Sequence, residues 1–429
     1  MSETTEKKGL KIETSVLRAY TMIAALVLIW IFFHYATNNN SPGLWDIGGH
    51  ITYFFGGIWT FFSSLILNIV TNFEFSSTAP SWIADGIFLK SLNLSNLTMQ
   101  TAVTGVIAVG MLMVIVSGNI DLSVGSILGL AGGCAAIALT NYQLGLVPSL
   151  LVAVLIGVLI GVFHGVLVAY ANIPAFIVTL GGLLAWRGAI KGISNSETIP
   201  VADASFKQIG QNYIEPTVGW ILAGVAILFV LWRTFSQMKD LKNYVGEGAS
   251  QTKIFTSALL QIVAILAFIF VMNSYAGIPI SVMILLIVAL LGVFITNHTT
   301  FGRYLYAIGG NPDAARLSGI NNKMKILQVY ALLGALTGIA ALIFTARVGS
   351  AAPDAGVLKE LDAIAACVIG GASLMGGRGT IFGAMLGALI MASLDNGMSL
   401  LNVRDYLQDI IKGSILVAAV GLDMIGRKS

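Results

Sequence analysis

Charge is scarce in this chain of 429 residues: Asp, Glu, Lys and Arg together make up 10% of it. So few polar groups cannot cover a water-soluble domain of that size, and with 56% hydrophobic residues and a mean hydropathy of +0.87 the chain belongs in a bilayer. Cysteine is nearly absent. Cys134 and Cys367 each fall in an apolar run, which leaves packing as their role rather than a disulfide or a metal site. His34, His50, His164 and His298 are too scattered to form a metal centre. The formal charge of +3 reflects basic loops and implies no nucleic-acid partner.

What the chain has in abundance is long apolar runs. About 20 residues are needed for a helix to cross roughly 30 Å of hydrocarbon, and only helices or closed barrels satisfy the backbone there. Long continuous runs, not short alternating ones, select helices. The spans fall at 17–35, 98–117, 122–140, 147–170, 174–193, 218–233, 253–273, 279–297, 326–345, 361–376, 379–397 and 407–425. The expected fold is an all-α polytopic membrane protein of about 12 transmembrane or re-entrant helices. The run from Leu17 to Tyr35 is too long for a signal-peptide core and no small-residue cleavage site follows, so it is expected to stay attached. Residues 1–16 are then expected to form a cytoplasmic tail and 17–429 a single membrane domain.

Basic residues gather on the cytoplasmic side of short loops. Fifteen of the 23 Lys and Arg residues fall on one side of this topology, among them Lys7, Lys8, Arg233, Arg303, Lys323, Arg378 and Lys428. Both termini and the 298–325 loop are therefore expected to be cytoplasmic. Residues 36–97 form an extracytoplasmic insertion. Within it the stretch near 51–73 is apolar enough to be a further span, but one more crossing would invert every later segment. It reads as an interfacial helix anchored by Trp45, Tyr53 and Trp59.

Many of the 48 glycines are spaced by four: Gly125/Gly129/Gly133, Gly157/Gly161/Gly165, Gly334/Gly338 and Gly383/Gly387. That spacing lets helix backbones approach closely, and static packing alone accounts for most of it.

Between two apolar runs lies a polar island, Asn311-Pro312-Asp313-Ala314-Ala315-Arg316-Leu317-Ser318-Gly319. Asn311 and Pro312 can open a short helix, Asp313 stands where the helix dipole favours a carboxylate, and Gly319 permits a left-handed exit. The two alanines would leave a small flat face for a partner's groove.

Two further segments set carboxylates against apolar helices, which is costly unless they are paired or wetted. They are Ser117-Gly118-Asn119-Ile120-Asp121-Leu122-Ser123 and Glu360-Leu361-Asp362-Ala363-Ile364-Ala365-Ala366. On this topology Asp121 opens a helix running outward and Asp362 one running inward, an arrangement that suits an inverted repeat with substrate between broken helices. Each Asp could equally cap its helix. The run Gly371 to Gly379 lacks the Lys of a phosphate loop, and no strand precedes it. No nucleophile, base or metal set converges at useful spacing for an enzyme.

The segments Ile120 to Ser126, Pro174 to Gly181, Asn311 to Ile320 and Leu361 to Ala366 resemble those of permease subunits of bacterial ABC importers for monosaccharides, over residues 17–35 and 87–429. The runs Asp362 to Gly371 and Met391 to Ser399 favour the branch that takes up D-xylose. Asn119, where that branch tends to be acidic, and His164, where the family usually has Asn, depart from the pattern. The resemblance implies a non-catalytic homodimer in the bacterial inner membrane, with a cytoplasmic ATPase below and an extracytoplasmic sugar-binding protein above. ATP and Mg would bind the partner, and no cofactor would bind this chain. Asn311, Pro312, Asp313, Ala314, Ala315, Arg316, Ser318 and Gly319 would couple to the ATPase. Candidate pathway residues are Asn119, Asp121, Ser123, Phe176, Thr179, Trp186, Arg187, Asp362 and Asn396. For Phe176 and Trp186 packing is the simpler reading, and Arg187, near the end of its span, is expected to snorkel. Another monosaccharide or a nucleoside is the alternative substrate, and an ion-coupled carrier using Asp121 and Asp362 the alternative mechanism. Residues 36–86 have no counterpart in typical relatives; they could contact the binding protein or lipid.

Overall fold

With no water in hydrocarbon to take up N–H and C=O groups, apolar runs satisfy their backbone internally, and the described residues are mostly helical. The computed structural model describes residues 14–38, 86–244 and 251–425. Helix α1 spans Thr14–Ala36, α2 Ser91–Val116, α3 Val124–Thr140, α4 Leu146–Ala169 and α5 Ala175–Ile193. After the two-residue strand β1 (Ile199–Pro200) come α6 (Ala204–Gln211), β2 (Tyr213–Ile214), α7 (Pro216–Tyr244), α8 (Gln251–Asn273) and β3 (Ile278–Pro279). Then follow α9 (Ile280–His298), α10 (Thr300–Gly310), α11 (Pro312–Leu317), α12 (Asn322–Val348), β4 (Ser350–Ala351), α13 (Lys359–Ile369), α14 (Ile381–Leu400) and α15 (Asp405–Ile425). Among the described residues nine helices are long and apolar enough to cross a membrane. The all-α polytopic fold expected from the sequence is the fold observed. The 51–73 stretch and most of the 1–16 tail lie outside the described residues.

Helix α2 is apolar on every side and is accordingly the centre of the bundle: 94% of its spanning window is buried, against 22% for α1 and 11% for α8. Helices α12 and α14 flank it, and the outer helices turn Leu, Ile, Val and Phe side chains to the lipid. Glycine sets the closest approach. A Cβ on Gly157 of α4 would strike the carbonyl of Gly334 on α12, and one on Gly161 would strike that of Tyr330. The spacing by four is here a backbone-to-backbone seam. At one end of the bundle antiparallel ladders of two residues, β1 with β4 and β2 with β3, pin the links between helices.

The expected span 361–376 is not a span. Helix α13 has 11 residues, about 16 Å, and ends at Gly370. Gly371, Gly376, Gly377 and Gly379 follow with positive φ, so the chain turns where a spanning helix would continue. The approach to α13 is unwound as well, with Gly356 at φ 76° and Leu358 at φ 63°. Helix α15 forms over the expected stretch 407–425, but with Asp405, Asp409 and Lys412 in it, it is not among the nine apolar spans of the described residues.

Candidate functional site

Three polar groupings interrupt the apolar bundle. The first is built on the link between α2 and α3. Asp121 is 2% exposed, and its Oδ1 accepts from the Ser123 backbone N–H at 2.7 Å and the Ser123 hydroxyl at 2.5 Å. Its Oδ2 lies 3.8 Å from His164 Nδ1. On the far side of the imidazole, Trp186 Nε1 donates to His164 Nε2 at 3.1 Å. A donor-only indole leaves Nε2 as acceptor and the imidazole proton on Nδ1, directed at Ser123 Oγ, 3.4 Å away, and at Asp121. The donors thus point one way, from Trp186 through His164 and Ser123 to the Asp121 carboxylate. Thr179 turns its hydroxyl back to the Ala175 carbonyl at 2.9 Å, beside the Ile120 carbonyl. Asn119 donates to Ser117 Oγ at 3.1 Å and stands apart from the chain of donors. Phe176 is 56% exposed on the outer face of α5 and joins none of these groups.

The second grouping holds the unwound segment before α13. Arg187 does not snorkel: its Nη1 donates to the carbonyls of Pro353 at 2.8 Å and Ala355 at 2.6 Å. Those carbonyls lie in irregular backbone and have no helical partner, so the guanidinium supplies what a regular helix would have supplied. Gly125 and Gly129 of α3 give the segment room, since Cβ atoms there would meet Glu360 and the carbonyls of Gly356 and Ala355.

The third grouping is a cluster of four charges. Lys359 Nζ lies 2.6 Å from Asp362 Oδ2 and 3.7 Å from Asp395 Oδ2, while Lys412 Nζ lies 2.6 Å from Asp395 Oδ1 and 3.8 Å from Asp362 Oδ1. Asp362 therefore caps nothing; it is an ion-paired residue inside the first turn of α13, and the capping reading of it falls. A cavity of about 240 Å³ opens beside it between α13 and α15. Lys359, Asp395 and Lys412 lie in three separate segments of the sequence, and only the packing of α13, α14 and α15 assembles them. Asn396, next to Asp395, points elsewhere and accepts from Asn93 at 2.8 Å.

The polar island forms α11. The Asn311 side chain accepts from the N–H groups of Asp313 and Ala314, Pro312 occupies the first turn, and Gly319 leaves at φ 83°. Arg316 lies 3.4 Å from Asp313, and Ser318 Oγ donates to the Ala314 carbonyl at 2.9 Å. The expected flat face of two alanines is not there: Ala315 is buried at 4%, and Ala314 alone faces outward. Leu317 is 85% exposed at the helix end and was not among the residues singled out. Helix α10 runs from α11 into the bundle. There Gly309 sits against the Val116 carbonyl and Gly377, and Tyr306 donates to the Gly379 carbonyl at 2.8 Å. Burial pushes the Tyr306 phenol above its ordinary value, so it remains a donor.

A family model described as branched-chain amino acid transport system / permease component matches residues 93–420. The xylose transport system permease protein XylH of Haemophilus influenzae is 46% identical over 345 residues, 80% of this chain and 92% of that protein. The protein of the same name from Escherichia coli K12 is 46% identical over 344 residues, 80% of this chain and 87% of its own length. The ribose import permease protein RbsC of the same strain is 37% identical over 337 residues, covering 78% and 87%. No solved structure matches. With the family model covering the whole bundle from α2 into α15, and relatives aligned across most of their own length, the chain belongs to the family of transport-system permease components and is a multi-pass membrane protein.

Proposed function

We propose that this chain forms the translocation pathway of an ATP-driven importer for D-xylose in a bacterial inner membrane. It would act as a homodimer without catalytic groups of its own. The observation that carries the coupling half of this reading is α11, a capped six-residue helix with Leu317 fully presented beside Arg316 and Asp313. An exposed leucine framed by charges is a suitable anchor for a partner's groove. The basic residues around it, Arg303, Lys323 and Lys325, support a cytoplasmic position for this end and for both termini. A cytoplasmic ATPase binding ATP and Mg would dock there, and a sugar-binding protein would dock at the end bearing the short ladders. The sugar comes from the relatives named for xylose at 46% identity, against 37% for the one named for ribose.

Movement of α11 has a short mechanical route inward. Helix α10 meets the glycine-rich 370–379 loop through Gly309 and Tyr306, and that loop continues α13, whose far end carries Asp362. A nucleotide can shift this arrangement only if it favours one of two states of the assembly. The test is uptake of labelled D-xylose into proteoliposomes holding this chain, its ATPase and its binding protein. Uptake that needs enclosed ATP, and that falls at least tenfold in Leu317→Arg with the chain still folded, is the expected outcome, roughly the loss of one anchor residue. Uptake that ignores ATP and follows an ion gradient would overturn the reading.

A further inference from the structure

The four-charge cluster takes no part in the docking of α11, and neither Lys359 nor Lys412 belongs to a motif of the sequence. Holding α13, α14 and α15 together does not call for it, because well-packed apolar residues in place of a buried ion pair hold helices as firmly or more so. What charges add is a set of strong donors and acceptors, and here they stand beside a cavity. Asp362 and Lys412 lie in its wall with Leu361, Met391 and Leu416, while exposed Asp409 stands at the rim.

Each ammonium faces both carboxylates, two at 2.6 Å and two at 3.7–3.8 Å, so the four charges cancel. Lysine keeps a further N–H, and each carboxylate keeps lone pairs, for a guest. A hydroxyl can donate to Asp362 and accept from Lys412 together without parting the pair. An ion of either sign has to displace one member and strand its counter-charge out of water. The apolar part of the wall suits the C–H face of a ring.

We propose that this cavity is a transient binding site for an uncharged polyhydroxylated solute. Asp362 and Lys412 contact its hydroxyls, and Lys359 and Asp395 are positioning residues that hold those two in place. The proposal rests on the reading of the chain as a sugar permease and assigns the contacts within it.

Saturation-transfer NMR of D-xylose, D-ribose and D-glucuronate on the full chain in lipid nanodiscs tests it. The wild type is expected to transfer saturation to a neutral pentose and not to glucuronate. Lys412→Met is expected to weaken the signal several-fold. Exchanging the Asp395–Lys412 pair for an apolar one, Asp395→Leu with Lys412→Met, leaves Lys359 and Asp362 paired and the helices packed, so its unfolding midpoint should match wild type while its pentose signal also falls several-fold. An exchanged pair that binds pentose as the wild type does would make the cluster a clamp and sink the proposal, as would a wild type that binds neither pentose. Ribose binding without xylose would support the site and replace the sugar proposed above, and ATP-independent uptake by the intact assembly would overturn the importer reading while this binding stood.

Discussion

An indole nitrogen can only donate, so the contact between Trp186 and His164 fixes where one proton sits in the middle of the bundle. Without that donor the imidazole is free to carry its proton on either nitrogen. In Trp186→Phe the ¹⁵N spectrum of His164 is expected to change from a single Nδ1–H tautomer to a mixture, with a loss of about 1 kcal/mol in unfolding stability from one hydrogen bond. A spectrum identical to the wild type would show that another group sets the tautomer. At this scale the sequence was informative where a residue stood against its surroundings. Asp121 and Asp362 could be picked out as carboxylates in apolar runs. His164 was visible only as a departure from the family pattern, and its partner Trp186 read as packing. The snorkelling expected of Arg187 is not observed, because nothing in a sequence shows that the Pro353 and Ala355 carbonyls lack helical partners.

Helices themselves were legible because apolar length is a sufficient signal for them, and their interruptions were not. The run after Glu360 looks continuous, yet α13 stops at Ile369; Gly371, Gly376, Gly377 and Gly379 follow at positive φ, and the last three pack against α10 or the end of α2. Spacing by four announced close approach without naming the partner: Gly157 and Gly161 meet another helix, whereas Gly125 and Gly129 meet an unwound segment. Helix α10 is the element where this matters most. A methyl at Gly309 would run into the Val116 carbonyl and Gly377, pushing α10 off the glycine-rich loop. Gly309→Ala is therefore expected to leave ATP hydrolysis by the assembled complex within about twofold of wild type while uptake per ATP falls at least about fivefold, a coupling loss on the order of 1 kcal/mol. Unchanged uptake per ATP would remove α10 from the route.

At the scale of the whole molecule, the side proposed for each end rests on charge placement and is open to direct test. A cysteine at Leu317 should react with an impermeant maleimide only in inverted vesicles, and one at Glu197 only in right-side-out ones; labelling of both from the same side would overturn the topology. The assembly of the four charges also bears on how the chain is made. Lys359 and Asp362 are three residues apart on one helix and can neutralise each other as soon as α13 forms. Asp395 and Lys412 lie on consecutive helices, so until α15 follows the carboxylate has only Lys359, 3.7 Å away and already paired with Asp362. A carboxylate short of a counter-charge inside a helix resists partition into the bilayer, by about 2.5–3.5 kcal/mol at the helix centre and by less toward the end, where Asp395 lies. Helices α14 and α15 are thus bound to leave the insertion machinery as a pair, and the last helix of the bundle is the one that commits its neighbour to the membrane.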